Sequence, residues 1–196
     1  MENNSNVAGP ECELSKKIAD LKNTFYSENK KPLFFKSASK TQFATLISSE
    51  IGLSSLLSNS IFIIPQTNKI FFDYPLFKTY ATQENYTVIV EYISEKIAAC
   101  ISIFGNYEVH ANLDSFSVSA CQRYKDVIQL FCNRFMNNVD EYSKVLVVMY
   151  IYNTPNMFHQ ISTMLRPFIN HTVMEKIILQ DKTESMAIIK NIRNIN

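Results

Sequence analysis

His110, Asp114 and Ser117 fall within eight consecutive positions, and an imidazole, a carboxylate and a hydroxyl are the parts of a nucleophilic triad. Such a triad also needs a defined spatial arrangement and oxyanion donors, which closeness in sequence does not supply, so esterase chemistry is not expected. The three histidines, His110, His159 and His171, lie too far apart for a local zinc motif. His171 with Glu175 at i+4 offers only two ligands, and no metal is expected. Cys12, Cys100, Cys121 and Cys132 form no C-x-x-C pair. Six positions after them stand Ile18, Asn106, Val127 and Asn138 rather than the Arg of a thiol phosphatase. These cysteines read as reduced, mostly buried thiols. Gly9, Gly52 and Gly105 are too dispersed to build a phosphate-cradling loop. The residue inventory thus predicts a protein that is not an enzyme and carries no cofactor.

Composition bounds the remaining classes. A chain of 196 residues that is 46% hydrophobic can bury one substantial core. Lys+Arg of 19 against Asp+Glu of 18 leaves a net charge of +1, so no field gathers a polyanion, and nucleic acid is not an expected partner. The longest apolar runs, such as Val145 to Ile151, fall far short of the roughly 20 residues that span a bilayer. The N-terminus begins polar, without the apolar stretch of a signal peptide. A cytoplasmic protein that touches membranes reversibly is the expectation.

The elements that must position any site follow from periodicity. Residues 1–12 are polar and turn-rich and read as a flexible tail. Leu14, Ile18, Leu21 and Phe25 form one helical stripe. A second helix is predicted to start at Ser39, where Ser39 and Gln42 suggest a capping box before Phe43. These two helices make a small N-terminal cap over 13–58. Ile61–Ile64 and Lys69–Phe72, separated by Pro65-Gln66-Thr67-Asn68, read as a hairpin at a sheet edge. Tyr86, Ile89, Val90, Ile93, Ile97 and Ile101 keep helical spacing. Tyr107, Val109, Ala111 and Leu113 alternate with Glu108, His110 and Asn112 as in a strand with one apolar face. A helix through Tyr124, Val127, Ile128, Phe131 and Phe135 comes next, then a strand over Val145–Tyr152, apolar on both faces. A helix through Met157–Phe168, a short strand Lys176–Leu179 and a final helix from about Thr183 complete an α/β pattern with parallel crossovers.

Met149-Tyr-Ile-Tyr-Asn-Thr-Pro-Asn-Met-Phe158, then Leu165-Arg-Pro-Phe-Ile-Asn170, then Glu175-Lys-Ile-Ile-Leu179 resembles the CRAL-TRIO lipid-binding domains. In that family a strand ends in Asn-Ala-Pro, an apolar gate helix ends in Lys-Pro-Phe-Leu, and a Lys-Ile pair opens the next strand. Looser similarity extends upstream through Asn112-Leu-Asp-Ser-Phe-Ser117 and Val90-Glu91-Tyr92, so the resemblance covers about 60–193. It departs at Asn112 and Ser115, where the family has Asp and Gly. The segment 14–58 is shorter than the family's N-terminal helical bundle, and the chain ends at Asn196, before a Leu-Pro and Gly-Gly segment.

The resemblance implies an α/β domain over 59–196, with a mixed, largely parallel sheet flanked by helices and a gate helix over a lipid cavity. It implies that Tyr107, Val109, Ala111, Val147, Met149 and Ile151 form the cavity floor. Phe158, Ile161, Met164, Leu165 and Phe168 would form the underside of the gate. Lys176 stands where a family lysine meets the inositol phosphate, Val173 replaces a neighbouring threonine, and Glu141 is the candidate acidic partner of the headgroup. The implied function is to bind one lipid, a glycerophospholipid such as phosphatidylinositol or phosphatidylcholine, and to exchange or present it at cytosolic membrane surfaces. Two alternatives stand beside it: a docking module for a protein partner that transfers nothing, and a carrier of a sterol or isoprenoid.

Overall fold

A computed structural model of the chain describes residues 10–28, 36–136 and 141–195. Three helices precede the sheet: α1 (Pro10–Glu28), α2 (Lys36–Ile51) and α3 (Leu53–Ser60). The predicted α1 stripe of Leu14, Ile18, Leu21 and Phe25 packs against the main core. Its helix reaches back to Pro10, so the last residues assigned to the tail are helical. Proline suits a first helical turn because its missing N–H would have no intrahelical partner there. Ser39 lies inside α2 rather than capping it. The additional helix α3 follows Gly52, whose φ of 90° breaks α2 from α3. Glycine tolerates that left-handed backbone because it lacks a Cβ.

Five strands form one sheet in the order β1 (Ile61–Ile63), β2 (Lys69–Asp73), β3 (Tyr107–Asn112), β4 (Leu146–Tyr152) and β5 (Ile177–Leu179). The β1–β2 hairpin is antiparallel, and β2 through β5 run parallel. The connections are α4 (Tyr74–Tyr80) with α5 (Tyr86–Phe104), then α6 (Val118–Arg123), α7 (Lys125–Phe135) and α8 (Glu141–Val145), then α9 (Phe158–Leu165) and α10 (His171–Met174). The final helix is α11 (Lys182–Ile195). Helix α4 had no counterpart in the sequence pattern. The predicted helix around Tyr124 is two helices, with Tyr124 at their joint and Ser117 Oγ accepting the Ala120 N–H at the start of α6. Among the described residues, no helix is long and apolar enough to cross a membrane.

One core cluster runs from Phe43, Ile47 and Leu56 in the N-terminal helices through Ile89 and Ile97 of α5 to Met149 and Val173. On the other face of the sheet, Ile189 and Ile192 of α11 pack on Phe62, Phe71 and Tyr152. Burying two isoleucines contributes about 1.5–3 kcal/mol each.

The polar face expected of β3 is therefore not solvated. His110 and Asn112 are buried beneath this layer, and both are bonded. Asn112 Nδ2 donates to Asp73 Oδ1 at 2.6 Å, Asn153 Nδ2 donates to Asn112 Oδ1 at 2.8 Å, and Arg193 of α11 meets Asp73 at 2.8 Å. His110 Nδ1 lies 2.8 Å from the Tyr152 hydroxyl, and its Nε2 lies 3.2 Å from Glu108. A neutral imidazole with its proton on Nε2 satisfies both partners.

Burial is the main cause that lowers the His110 pKa from 6.5, Lys69 adds to it, and Glu108 opposes both. An unfolded histidine then binds a proton that the folded one rejects, so stability falls as pH drops below about 6.5. We expect His110→Gln to flatten that acid limb in urea unfolding measured between pH 5 and 7. An unchanged pH slope would place the sensitivity elsewhere.

Candidate functional site

Between the sheet and helices α4, α5, α7 and α9 lies a cavity of about 450 Å3. Its floor alternates as a pleated sheet requires: Ile70 and Phe72 from β2, Val109 and Ala111 from β3, Met149 and Ile151 from β4, Ile177 and Leu179 from β5. Its roof is a set of helical stripes, with Ile89, Val90, Ile93 and Ile97 on α5 and Val127, Ile128, Phe131 and Cys132 on α7. Helix α9 closes one side with Phe158, Ile161, Ser162 and Leu165, spaced i, i+3, i+4, i+7. Among the described lining residues none is ionised at neutral pH. Tyr74, Tyr124, Ser162 and Cys132 supply the polar side-chain atoms. Burial pushes the Cys132 thiol up to about 12, with Cys121 adding to it, so Cys132 is a thiol and not a nucleophilic thiolate. Cys100, Cys121 and Cys132 are all free and buried, and the side chain of Cys12 lies outside the described ones.

Seven of the eleven residues assigned to the cavity by resemblance line it: Val109, Ala111, Met149, Ile151, Phe158, Ile161 and Leu165. The other four do not, for separate geometric reasons. Tyr107 is buried in the core but is not on the wall. Val147 is 49% exposed, because β3 and β4 slip register there: Tyr107 pairs with Leu146 but Val109 with Met149. One extra residue in β4 breaks the alternation and turns Val147 outward, as a bulge does. Met164 lies off the α9 stripe, and Phe168 falls beyond the helix in the 3-10 turn Arg166–Phe168.

The expected headgroup cation is also absent from the described wall. Lys176 Nζ donates to the backbone carbonyls of Ser143, Lys144 and Leu146, at 2.9, 3.4 and 2.5 Å. An ammonium has three donors, so Lys176 is committed to closing the C-terminal end of α8, as a lysine does at a helix end. Glu141 opens α8, and its side chain lies outside the described ones. The α5 and α7 stripes were legible as helical periodicity, but nothing in a stripe distinguishes a cavity wall from packed core.

The Asn153-Thr154-Pro155 motif fastens the start of the gate segment. Asn153 adopts φ 51°, a left-handed backbone that Asn tolerates better than other residues with a Cβ. Its N–H donates to Ser185 Oγ at 2.8 Å, and Thr154 Oγ1 donates to the carbonyls of Ile151 and Gln180. At the other end the Asn170 N–H donates to the Met136 carbonyl at 2.9 Å. Helix α9 is thus tied at both flanks, with Met157 47% exposed just before it. His110 and Ser117 are not brought together: His110 faces the α11 side, and Ser117 caps α6. The His171–Glu175 pair, 3.5 Å apart, is exposed. Among the described residues no group of three or more His, Cys, Asp or Glu could hold a metal.

No family model matches the sequence, and no curated protein matches it. Among solved structures, 21 chains match. The crystal structure of Sfh5, a yeast protein of the Sec14 family, is similar with a TM-score of 0.50 and 14% identity, over 84% of this chain. The fold is CRAL-TRIO-like. The match spans 65% of the length of Sfh5. At that identity the likeness establishes the architecture, and what the cavity holds must be argued from its own residues.

Proposed function

We propose that this protein encloses one lipid in the cavity and exchanges it at membrane surfaces, with α9 as the mobile wall. The observation that carries the reading is a cavity of about 450 Å3 whose described wall bears no charge. Apolar enclosure is worth about 0.8 kcal/mol per buried methylene, so a tail of ten methylenes gains roughly 8 kcal/mol. That offsets leaving a bilayer, where the same tail is already in hydrocarbon, provided the polar end is also accommodated. The protein acts without a catalytic step or a cofactor, in the cytoplasm and peripherally at membranes. Among phospholipid cargoes, phosphatidylinositol has lost its expected cation, since Lys176 is bonded to carbonyls and Val173 supplies no hydroxyl.

The test is native mass spectrometry of the purified protein, with lipid identification after organic extraction. We expect a one-to-one lipid adduct. An empty protein that takes up nothing from mixed vesicles would overturn the carrier reading in favour of a protein-docking module.

The gating role has its own test. Met157 is exposed and off the wall, so Met157→Asp should leave binding intact. It should slow transfer between vesicles about tenfold, equivalent to about 1.4 kcal/mol at the interface. Transfer at an unchanged rate, in this variant and in Phe158→Asp, would remove α9 from the exchange step.

A further inference from the structure

The gate segment and the C-terminal helix meet at Asn153, although α11 lies on the face of the sheet opposite the cavity. A circuit of hydrogen bonds joins them, leaving α11 at Arg193 and returning to it at Ser185, about two turns earlier. Arg193 donates to Asp73 Oδ2 at 2.8 Å and Asn112 Nδ2 to Asp73 Oδ1 at 2.6 Å. Asn153 Nδ2 donates to Asn112 Oδ1 at 2.8 Å, and the Asn153 N–H donates to Ser185 Oγ at 2.8 Å. Asp73 and Asn112 are the last residues of β2 and β3, and Asn153 is the first after β4. The circuit therefore runs along the carboxyl ends of three neighbouring strands.

This circuit accounts for Ser185. The residue is fully buried and shares a stripe with Ile189 and Ile192, at i, i+4 and i+7, where an aliphatic side chain would have no polar atom to satisfy. Its hydroxyl donates to the Asp181 carbonyl within its own helix, which leaves a lone pair free to accept the Asn153 N–H.

Asn153 has two further marks of a hinge. Its left-handed φ of 51° costs energy in a residue with a Cβ and persists only where the surroundings hold it. Its Oδ1 is buried without a hydrogen-bond partner, an unmet acceptor that outward motion would open to water. Just beyond, the Thr154 N–H and hydroxyl both donate to the Gln180 carbonyl, at 3.1 and 2.8 Å. That second fastening also leads into α11, which starts at Lys182.

We propose that Asn153 is the hinge of the gate and α11 the clasp that holds it shut, with Ser185 as a positioning residue acting on α9 through the Asn153 N–H. This rests on the carrier reading, in which α9 moves, and adds what restrains the movement. Opening the cavity requires the hinge to leave α11, so one hydrogen bond at the far face of the sheet sets how often the gate opens.

The test compares the full chain with Ser185→Ala and Asn153→Gly. One readout is transfer of pyrene-labelled phosphatidylcholine between phosphatidylcholine vesicles, and the other is hydrogen–deuterium exchange of the amides. Ser185→Ala removes the acceptor and keeps the helix. Asn153→Gly keeps the left-handed backbone and its N–H bond but cuts the link to Asn112. Each loses one hydrogen bond, so each should speed transfer about tenfold. Amide exchange across 153–165 should rise by a similar factor, with β2 and β3 as in the native chain. Faster exchange confined to α11, with transfer and α9 unchanged, is what a merely structural serine would give and overturns the proposal. Where the native chain transfers the probe, faster α9 exchange at an unchanged transfer rate also overturns it. A native chain that transfers none of the probe removes phosphatidylcholine exchange, and the α9 amides then decide the clasp: a rise in Ser185→Ala upholds it and no rise overturns it.

Discussion

Replacing Ala111 with Trp is expected to abolish lipid uptake while leaving the protein folded. Ala111 sits on β3 in the middle of the cavity floor, between Val109 and the β4 partner Ile151. Its methyl group is the smallest side chain on that floor, so an indole placed there enters space that already exists. If the ring displaces about five methylenes of cargo, the loss at about 0.8 kcal/mol each is about 4 kcal/mol, or roughly 1000-fold in affinity. The unfolding midpoint should hold or rise, because filling an existing void adds apolar contact without forcing neighbours apart. The check is native mass spectrometry of the variant beside a thermal melt. A folded variant that still carries its adduct would mean that the lipid binds elsewhere. A variant that melts far below the native chain would mean that the cavity is closed in solution.

Arg193→Met should produce a large loss of stability at a site on the face of the sheet that α11 covers. Arg193 reaches from α11 to Asp73 at the end of β2, where the carboxylate is buried and also accepts from Asn112. Burial raises the Asp73 pKa above 3.8 even with Arg193 and Asn112 opposing it. Removing the cation leaves a buried carboxylate with its charge uncompensated, which costs about 3 kcal/mol. The figure is at the low end of the range because the Arg193 side chain is 35% exposed. The sign with pH follows from the raised folded pKa. A carboxyl group that prefers to be protonated in the folded state penalises folding as pH rises through its folded value, and the penalty vanishes below its unfolded value. The deficit of Arg193→Met should therefore grow from acid toward neutral pH in urea unfolding. In the double variant Asp73→Asn with Arg193→Met most of it should be recovered, since no charge remains to be stranded. A deficit independent of pH would show that lost packing of the arginine stem, not the charge, is responsible.

Helical stripes, the alternation of β3 and the apolar β4 run were legible in the sequence because local periodicity reports which side of an element is buried. They carried the α/β class and a hairpin with parallel crossovers, and the resemblance carried seven of the wall residues. The motif Asn153-Thr154-Pro155 was legible too, by its resemblance to the family's Asn-Ala-Pro, whereas the left-handed backbone at Asn153 was seen only in the structure. Three things depended on distant partners and only the tertiary structure decided them. The β4 bulge, which turns Val147 outward, exists in the register between two strands 38 residues apart at Val109 and Val147. The burial of His110 and Asn112 arises because α11, from the far end of the chain, covers the face their polarity would assign to solvent. Lysine chemistry is the clearest case: sequence position pointed to Lys176, but an ammonium binds whatever acceptors surround it. Three carbonyls surround Lys176, and they take its three donors. Residue type and spacing determine which groups exist and which face of an element they share, and the packing of elements remote in sequence determines which of those groups remain available to a ligand.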